Sequence, residues 1–105
     1  MRKITQRAVT AFLNRERFGQ GNTQVIVGMH CDVTSLLLHG RLIARLDDTG
    51  LNISSGGWQT ATTKERLNAL PGVRVHQKNY TWYLNGHMWN GGYTNVKEWS
   101  ELHGK

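Results

Sequence analysis

The feature that most constrains the fold is the close alternation of apolar runs and turn signals in the middle of the chain. His39-Gly40 separates two such runs, and glycine supplies the positive φ that a two-residue hairpin turn needs. Asp47-Asp48-Thr49-Gly50 is a second turn signal, followed by alternating apolar and polar residues. The runs that read as strands are residues 25–27, 33–38, 41–46 and 51–54. This pattern predicts an antiparallel β-meander of three to four strands.

Helical patterns flank the predicted meander. Residues 4–18 place apolar side chains at a 3.6-residue period, and Gly19-Gln20-Gly21-Asn22 is expected to end that helix. A second, short helix is expected to begin near Thr62, because Thr62 and Glu65 match a capping box. It should bury leucine side chains and end at a Pro-Gly pair, the residues being Leu67, Leu70, Pro71 and Gly72.

The last third of the chain predicts a C-terminal β-hairpin. Its turn is expected at Lys78-Asn79, and Asn85-Gly86 is typical of a further type I′ turn. Residues 93–99 fit either a strand or a final helical turn. Trp58 and Trp82 are expected in the core, because a large aromatic side chain gains most from burial. The sequence therefore predicts a single small α+β domain over residues 1–105.

Composition excludes several classes of protein. The chain has 105 residues, of which 38% are hydrophobic, a fraction too high for a disordered tail. The single cysteine, Cys31, excludes an intramolecular disulfide and a multi-cysteine zinc site. The basic N-terminus is not followed by the long apolar stretch of a signal peptide or a membrane span. These observations predict a soluble protein of a reducing cytoplasm, with no membrane contact and no cofactor.

Positive charge is concentrated in the first part of the chain. The formal net charge is +6, and residues 1–45 hold seven Lys and Arg against two Asp and Glu. On the predicted first helix, Lys3, Arg7 and Arg17 fall on one polar stripe that would suit successive phosphates. Tyr83 is the aromatic expected to stay exposed. The predicted nucleic-acid or partner contacts are Arg2, Lys3, Arg7, Arg15, Arg17, Arg41, Arg45, Lys64, Arg66 and Tyr83.

Catalytic and metal motifs are weak. His30-Cys31-Asp32 places three ligand types side by side, but adjacent residues of an extended chain point in alternating directions. A small ribonuclease would use His76 as acid or base beside Arg74 or Lys78, and no matched partner is evident. We therefore predict a non-enzymatic protein with no catalytic residues and no metal site.

Three sequence blocks resemble uncharacterised short proteins of tailed-phage and prophage genomes. The blocks are LLLHGRLIA at 36–44, GWQTATTKERLN at 57–68, and HQK at 76–78 followed by WYLNG at 82–86. The resemblance covers roughly residues 33–90 and implies a phage accessory protein made in the cytoplasm of a bacterial host. Small phage proteins of this type include nucleic-acid binders and inhibitors of host defence, among them anti-CRISPR proteins. The family carries no established catalytic residues to transfer.

The sequence supports three candidate functions. The leading hypothesis is a phage accessory protein that binds nucleic acid through its N-terminal basic surface. The alternative is an inhibitor that binds a nucleic-acid-binding protein complex of the bacterium, and a small ribonuclease is third. An exposed strand edge at residues 25–27 would also allow two copies to pair into a homodimer.

Overall fold

The elements alternate between helix and antiparallel strand. A computed structural model describes residues 2–29 and 32–103 of the chain. The elements in order are α1 (Lys3–Leu13), β1 (Phe18–Gln20), β2 (Thr23–Val27), β3 (Thr34–Leu38), β4 (Arg41–Asp47), β5 (Gly50–Ile53), α2 (Ala61–Asn68), β6 (Val75–Lys78), β7 (Thr81–Leu84), β8 (His87–Met88), β9 (Thr94–Asn95) and α3 (Val96–His103). None of these helices is long and apolar enough to cross a membrane.

The predicted antiparallel meander is confirmed, and it has more strands than expected. Its sheet has the order β1-β2-β3-β4-β5-β9, with antiparallel pairing throughout, so five consecutive strands take part instead of three to four. His39 and Gly40 form the predicted turn with φ of 53° and 75°. β1 pairs with β2 from Thr23 to Val25, so the expected strand edge at residues 25–27 is covered at Val25, while the pairing with β1 does not extend to Ile26 and Val27.

A β-bulge in the meander places two consecutive side chains in the core. Leu36 pairs with Ala44 but Leu37 pairs with Leu42, which leaves Ile43 as the extra residue of β4. Ile43 and Ala44 are consequently both buried, although strict alternation would point one of them outward.

The first helix is shorter than predicted. It ends at Leu13, and Arg15 takes the left-handed conformation with φ of 57°. The Arg15 amide donates to the Phe12 carbonyl and the Glu16 amide to the Ala11 carbonyl, which is the Schellman pattern. Glycine usually occupies the left-handed position, so its absence concealed this helix end. Arg17 therefore does not lie on α1.

The second helix begins slightly earlier than predicted and has a different cap. The Thr60 Oγ1 accepts from the Thr63 amide at 3.2 Å, so the expected capping box of Thr62 and Glu65 is wrong. Glu65 instead reaches α1. The inward positions of Leu67 and Leu70 are confirmed, with 0% and 3% exposure.

The C-terminal hairpin is part of a three-stranded sheet of order β6-β7-β8. Its first turn is Asn79-Tyr80, one residue later than predicted, whereas the Asn85-Gly86 turn is confirmed. The sequence allowed either a strand or a final helical turn for residues 93–99. The structure has both there, strand β9 followed by the start of helix α3. The Trp99 Nε1 donates to the Leu84 carbonyl at 2.9 Å and ties α3 to the small sheet.

One hydrophobic cluster joins both sheets and the first two helices. α1 contributes Ala8 and Phe12, the large sheet Leu36 and Ile53, and the small sheet Trp82. Trp82 is 2% exposed, which confirms its predicted burial. The α+β architecture is thus confirmed, with β1, β9 and α3 as additions.

Candidate nucleic-acid interface

Three exposed cations lie on α1 and in the segment between α1 and β1, and we call Lys3, Arg7 and Arg17 the basic ridge. Lys3 and Arg7 are one helical turn apart on the exposed side of α1. Arg7 and Arg17 both line one shallow surface depression of about 380 Å³. The Schellman turn therefore removes Arg17 from the helix but returns it to the neighbourhood of Arg7.

Contacts with β1 hold Arg7 in position. Its Nη1 donates to the Gln20 Oε1 at 3.2 Å, and its guanidinium carbon lies 5.8 Å from the centroid of the Phe18 ring. At an exposed site, a cation–π contact of this kind contributes about 0.5–1 kcal/mol. The guanidinium has five N–H donors and uses one on Gln20, so donors remain for a phosphate. Glu16 lies in the same depression and offsets part of the charge.

Arg2 and Arg15 stand at the two ends of α1 and are exposed. The Arg2 backbone amide donates to the Glu65 Oε2 at 3.1 Å, which anchors the start of the helix. Arg15 is the left-handed residue that ends it. Both cations are close in sequence to the basic ridge, since Arg2 precedes Lys3 and Arg15 lies two residues before Arg17.

The two arginines of β4 do not join the basic ridge. The Arg45 Nε lies 3.1 Å from the Asp47 Oδ2, so this cation already has a carboxylate partner. Hydrogen bonds from the Thr49 hydroxyl and amide lower the pKa of Asp47, and the charge of Arg45 acts in the same direction. Arg41 contacts Trp58, as described below.

Of the two predicted cations on α2, one is only partly accessible and the other is buried. The Lys64 Nζ donates to the Gln77 Oε1 at 3.2 Å and lies 5.8 Å from the centroid of the Trp82 ring. Arg66 is 1% exposed, so its prediction as a nucleic-acid or partner contact is wrong. A charged side chain enters the interior only when several partners compensate for lost hydration, and Arg66 has them.

The Arg66 guanidinium ties α2 to α1 and β2. Its Nε and Nη2 each donate to the Thr23 Oγ1 at 3.2 Å, and its Nη1 donates to the Thr5 Oγ1 at 2.6 Å and to the Glu65 carboxylate. Thr5 in turn donates to the Glu65 Oε1 at 2.6 Å. Burial opposes ionisation of Glu65, but the hydrogen bonds from Thr5 and Arg2 and the Arg66 charge lower its pKa.

Tyr83 lies on the outer face of the small sheet, in a row with residues of both neighbouring strands. It pairs with His76 of β6 and Met88 of β8, and its ring stacks on the His76 ring at a centroid distance of 5.0 Å. Tyr83 is half-buried, whereas Met88 is 69% and Tyr80 of the adjoining turn is 94% exposed. We call His76, Tyr80, Tyr83 and Met88 the hairpin surface. It is formed by other elements than the basic ridge.

Trp58 does not occupy the core position predicted for it. It is 52% exposed instead of buried in the core. The two glycines before it, Gly56 and Gly57, have φ of 69° and 83°. A Cβ on Gly56 would lie 3.2 Å from the Arg41 Cβ, so the chain passes close to β4 just before Trp58. That glycine pair is the sequence signal that an unusual local path precedes the ring.

The candidate metal ligands of the His30-Cys31-Asp32 segment lie mostly outside the described residues, since the structure describes only Asp32 of the three. Within residues 2–29 and 32–103, no group of three or more His, Cys, Asp or Glu side chains is placed to hold a metal ion.

Comparison with known proteins places the chain among phage proteins. The model of the family described as Kyanoviridae Gp96 protein matches residues 1–103. This match confirms the phage setting that the sequence blocks implied, and it includes α1 and all of α3, which the resemblance did not cover. No curated protein and no solved structure matches the chain significantly.

Proposed function

We propose that this chain, a member of the Kyanoviridae Gp96 family of phage proteins, is a non-enzymatic accessory protein that binds nucleic acid in the bacterial host cell. The observation that carries the proposal is the basic ridge, where Arg7 and Arg17 line one depression and Lys3 lies one helical turn away. Exposed cations of this kind neutralise phosphates without reading bases.

The predicted cations outside the basic ridge should contribute unequally to phosphate binding. Arg2 and Arg15 lie close to the basic ridge and would strengthen the attraction of a polyanion. Arg45 is paired with Asp47, so a phosphate must compete with that carboxylate. Lys64 is held by Gln77 and Trp82, and Arg66 is enclosed. Binding should therefore depend mainly on Lys3, Arg7 and Arg17.

Charge reversal tests this function. The double substitution Lys3→Glu with Arg7→Glu should weaken binding of a labelled duplex at low salt by more than tenfold, because two phosphate contacts become repulsive. The double substitution Lys78→Glu with Lys97→Glu makes the same net charge change on exposed residues of other elements. It should have a much smaller effect.

Fluorescence anisotropy measures both variants. Absence of duplex binding by the natural protein at low salt would contradict the proposal. Equal losses in the two double variants would also contradict it, since binding would then follow net charge and not the basic ridge.

The hairpin surface favours the second candidate function, an inhibitor that binds a bacterial protein complex. Tyr80 combines 94% exposure with a left-handed φ of 66°, a conformation that costs a tyrosine about 1–2 kcal/mol. Exposed aromatic and methionine side chains are enriched where proteins bind one another. A stoichiometric partner captured from nuclease-treated host lysate, and lost in Tyr80→Ala, would favour inhibition over nucleic-acid binding.

A ribonuclease is the third candidate and would depend on His76. This residue is exposed and stacks on Tyr83, with Arg74 and Lys78 two positions away on either side. Incubation with labelled RNA tests the activity. Cleavage that disappears in His76→Ala would overturn the non-enzymatic assignment.

A further inference from the structure

A small cleft lies between the β3–β4 hairpin and the start of α2, and we call it the Trp58 cleft. It has a volume of about 180 Å³. Two buried aliphatic side chains, Leu38 and Ile43, form part of its lining. Arg41, Trp58, His39 and Thr62 add a cation, two rings and a hydroxyl. Ligand sites in proteins typically have this composition, an apolar cleft with a few convergent polar groups.

The indole of Trp58 is exposed in a way that distinguishes it from two other tryptophans of the chain. It is 52% exposed, whereas Trp82 and Trp89 are 2% and 4% exposed. A half-exposed indole forgoes much of the free energy that its burial would provide. Unlike the core tryptophans, Trp58 therefore leaves ring surface available to a ligand.

Arg41 contacts the indole and has further N–H donors for a ligand. Its guanidinium carbon lies 5.2 Å from the centroid of the Trp58 ring, and its Nη1 donates to the Gly56 carbonyl at 3.2 Å. The Trp58 backbone amide donates to the Ser55 carbonyl at 3.2 Å. Ring and cation are thus oriented before any ligand arrives, which lowers the entropic cost of binding.

This combination suits a nucleotide that is not base-paired. A base is a flat ring that stacks on an indole, and its phosphate takes charged hydrogen bonds from an arginine fork. The Thr62 hydroxyl and the His39 ring lie in the same cleft as donors or acceptors for the base edge. A base inside a duplex is stacked on its neighbours and cannot enter.

A continuous series of contacts links the cleft to the basic ridge. The Arg7 side chain donates a hydrogen bond to Gln20 at the end of β1. The turn after β1 places Asn22 beside His39. The Asn22 Nδ2 lies 3.3 Å from the His39 Nε2, and the His39 amide donates to the Asn22 carbonyl at 2.8 Å. The His39 ring centroid is 6.2 Å from that of Trp58.

We propose that the Trp58 cleft binds an unpaired nucleobase, so that the protein prefers single-stranded nucleic acid to duplex. The inference rests on the proposed function, since the strand would run from the basic ridge across the end of the large sheet. Phosphate contacts on the ridge supply affinity for any strand, and stacking on Trp58 adds affinity only where a base is free.

The test compares a labelled single-stranded oligonucleotide with the matching duplex by fluorescence anisotropy. Trp58→Ala should weaken single-strand binding about tenfold, because the base loses its stacking partner, and should change duplex binding less than about twofold. Trp58→Phe should retain most of the affinity because it keeps an aromatic face. Tyr93→Ala is the matched control, an aromatic residue outside the Trp58 cleft with 54% exposure, close to that of Trp58.

The outcomes separate this inference from the function on which it rests. Binding of both probes that is unchanged in Trp58→Ala overturns the cleft and leaves the basic ridge standing. Equal losses on both probes also overturn it. Absence of any binding at low salt overturns both proposals. Urea unfolding of Trp58→Ala is expected to show the cooperative transition of a folded protein, so that a loss of binding is not a loss of folding.

Discussion

Arg66 was predicted to contact nucleic acid or a partner because it is a cation, but its side chain is buried in the fold. Among the Lys and Arg residues that the structure describes, it alone is classed as buried, with 1% exposure. Its guanidinium is compensated by Thr5, Thr23 and Glu65. These partners come from α1, β2 and α2, so the charge joins three elements at the centre of the fold. Removal of one partner should therefore cost more than an ordinary surface contact.

The first prediction concerns Glu65 and its partner. Glu65→Ala should lower the free energy of unfolding by roughly 2–3 kcal/mol, because the buried Arg66 loses its only charged partner among the contacts described. The double variant Glu65→Ala with Arg66→Met should recover much of that loss, since no buried charge remains. Urea unfolding at pH 7 measures both. Strictly additive losses would contradict the coupling.

The same carboxylate predicts a pH dependence. The folded protein lowers the pKa of Glu65 from its ordinary value of 4.5. Its stabilising contribution is therefore fully present above pH 4.5 and is lost as the pH falls through the lowered folded pKa. Glu65→Gln should flatten this part of the curve of unfolding free energy against pH. An unchanged curve would assign acid sensitivity to other groups.

Among the elements, the local sequence predicts a helix end or hairpin turn where glycine stands at a left-handed position, and it does not predict one where another residue stands there. His39-Gly40 and Asn85-Gly86 were located from the sequence because glycine indicates a positive φ. Arg15 and Tyr80 adopt the same left-handed conformation without glycine. They explain why α1 ends before residue 18 and why the β6–β7 turn lies one residue later than predicted.

The second prediction uses these turns. Tyr80→Gly should raise the free energy of unfolding by about 1 kcal/mol, because it removes the left-handed penalty of a large side chain that is 94% exposed. Gly86→Ala, at φ of 89° in the neighbouring turn, should lower it by a similar amount. Thermal or urea unfolding compares them. A less stable Tyr80→Gly would show that the tyrosine makes a contact that offsets its strain.

For the whole molecule, net charge alone overstates the surface available to a polyanion. The chain carries +6, most of it before residue 46. Folding then pairs Arg45 with Asp47 and encloses Arg66, and it places Arg41 beside Trp58, away from the basic ridge. The basic ridge retains exposed cations in one place. The number of phosphates engaged should therefore follow the ridge and not the formal charge.

The third prediction is the salt dependence of duplex binding. With three phosphates neutralised by the basic ridge, the logarithm of the association constant should fall against that of salt concentration with a slope of about −3. Arg17→Gln should reduce the slope to about −2. Anisotropy titrations over a range of salt concentrations measure it. A slope near −6 would indicate that nearly all the net charge takes part.

The sequence alone determined the features that depend on neighbouring residues: the α+β class, the glycine hairpins, the second helix and the concentration of charge near the N-terminus. It also identified Trp82 as a core residue. Tertiary structure decided burial and proximity, because these depend on partners far along the chain. Arg66 is enclosed by Thr5 and Thr23, which lie 61 and 43 positions away. The exposure of Trp58 and the return of Arg17 to Arg7 depend in the same way on how the elements pack, which no local pattern encodes.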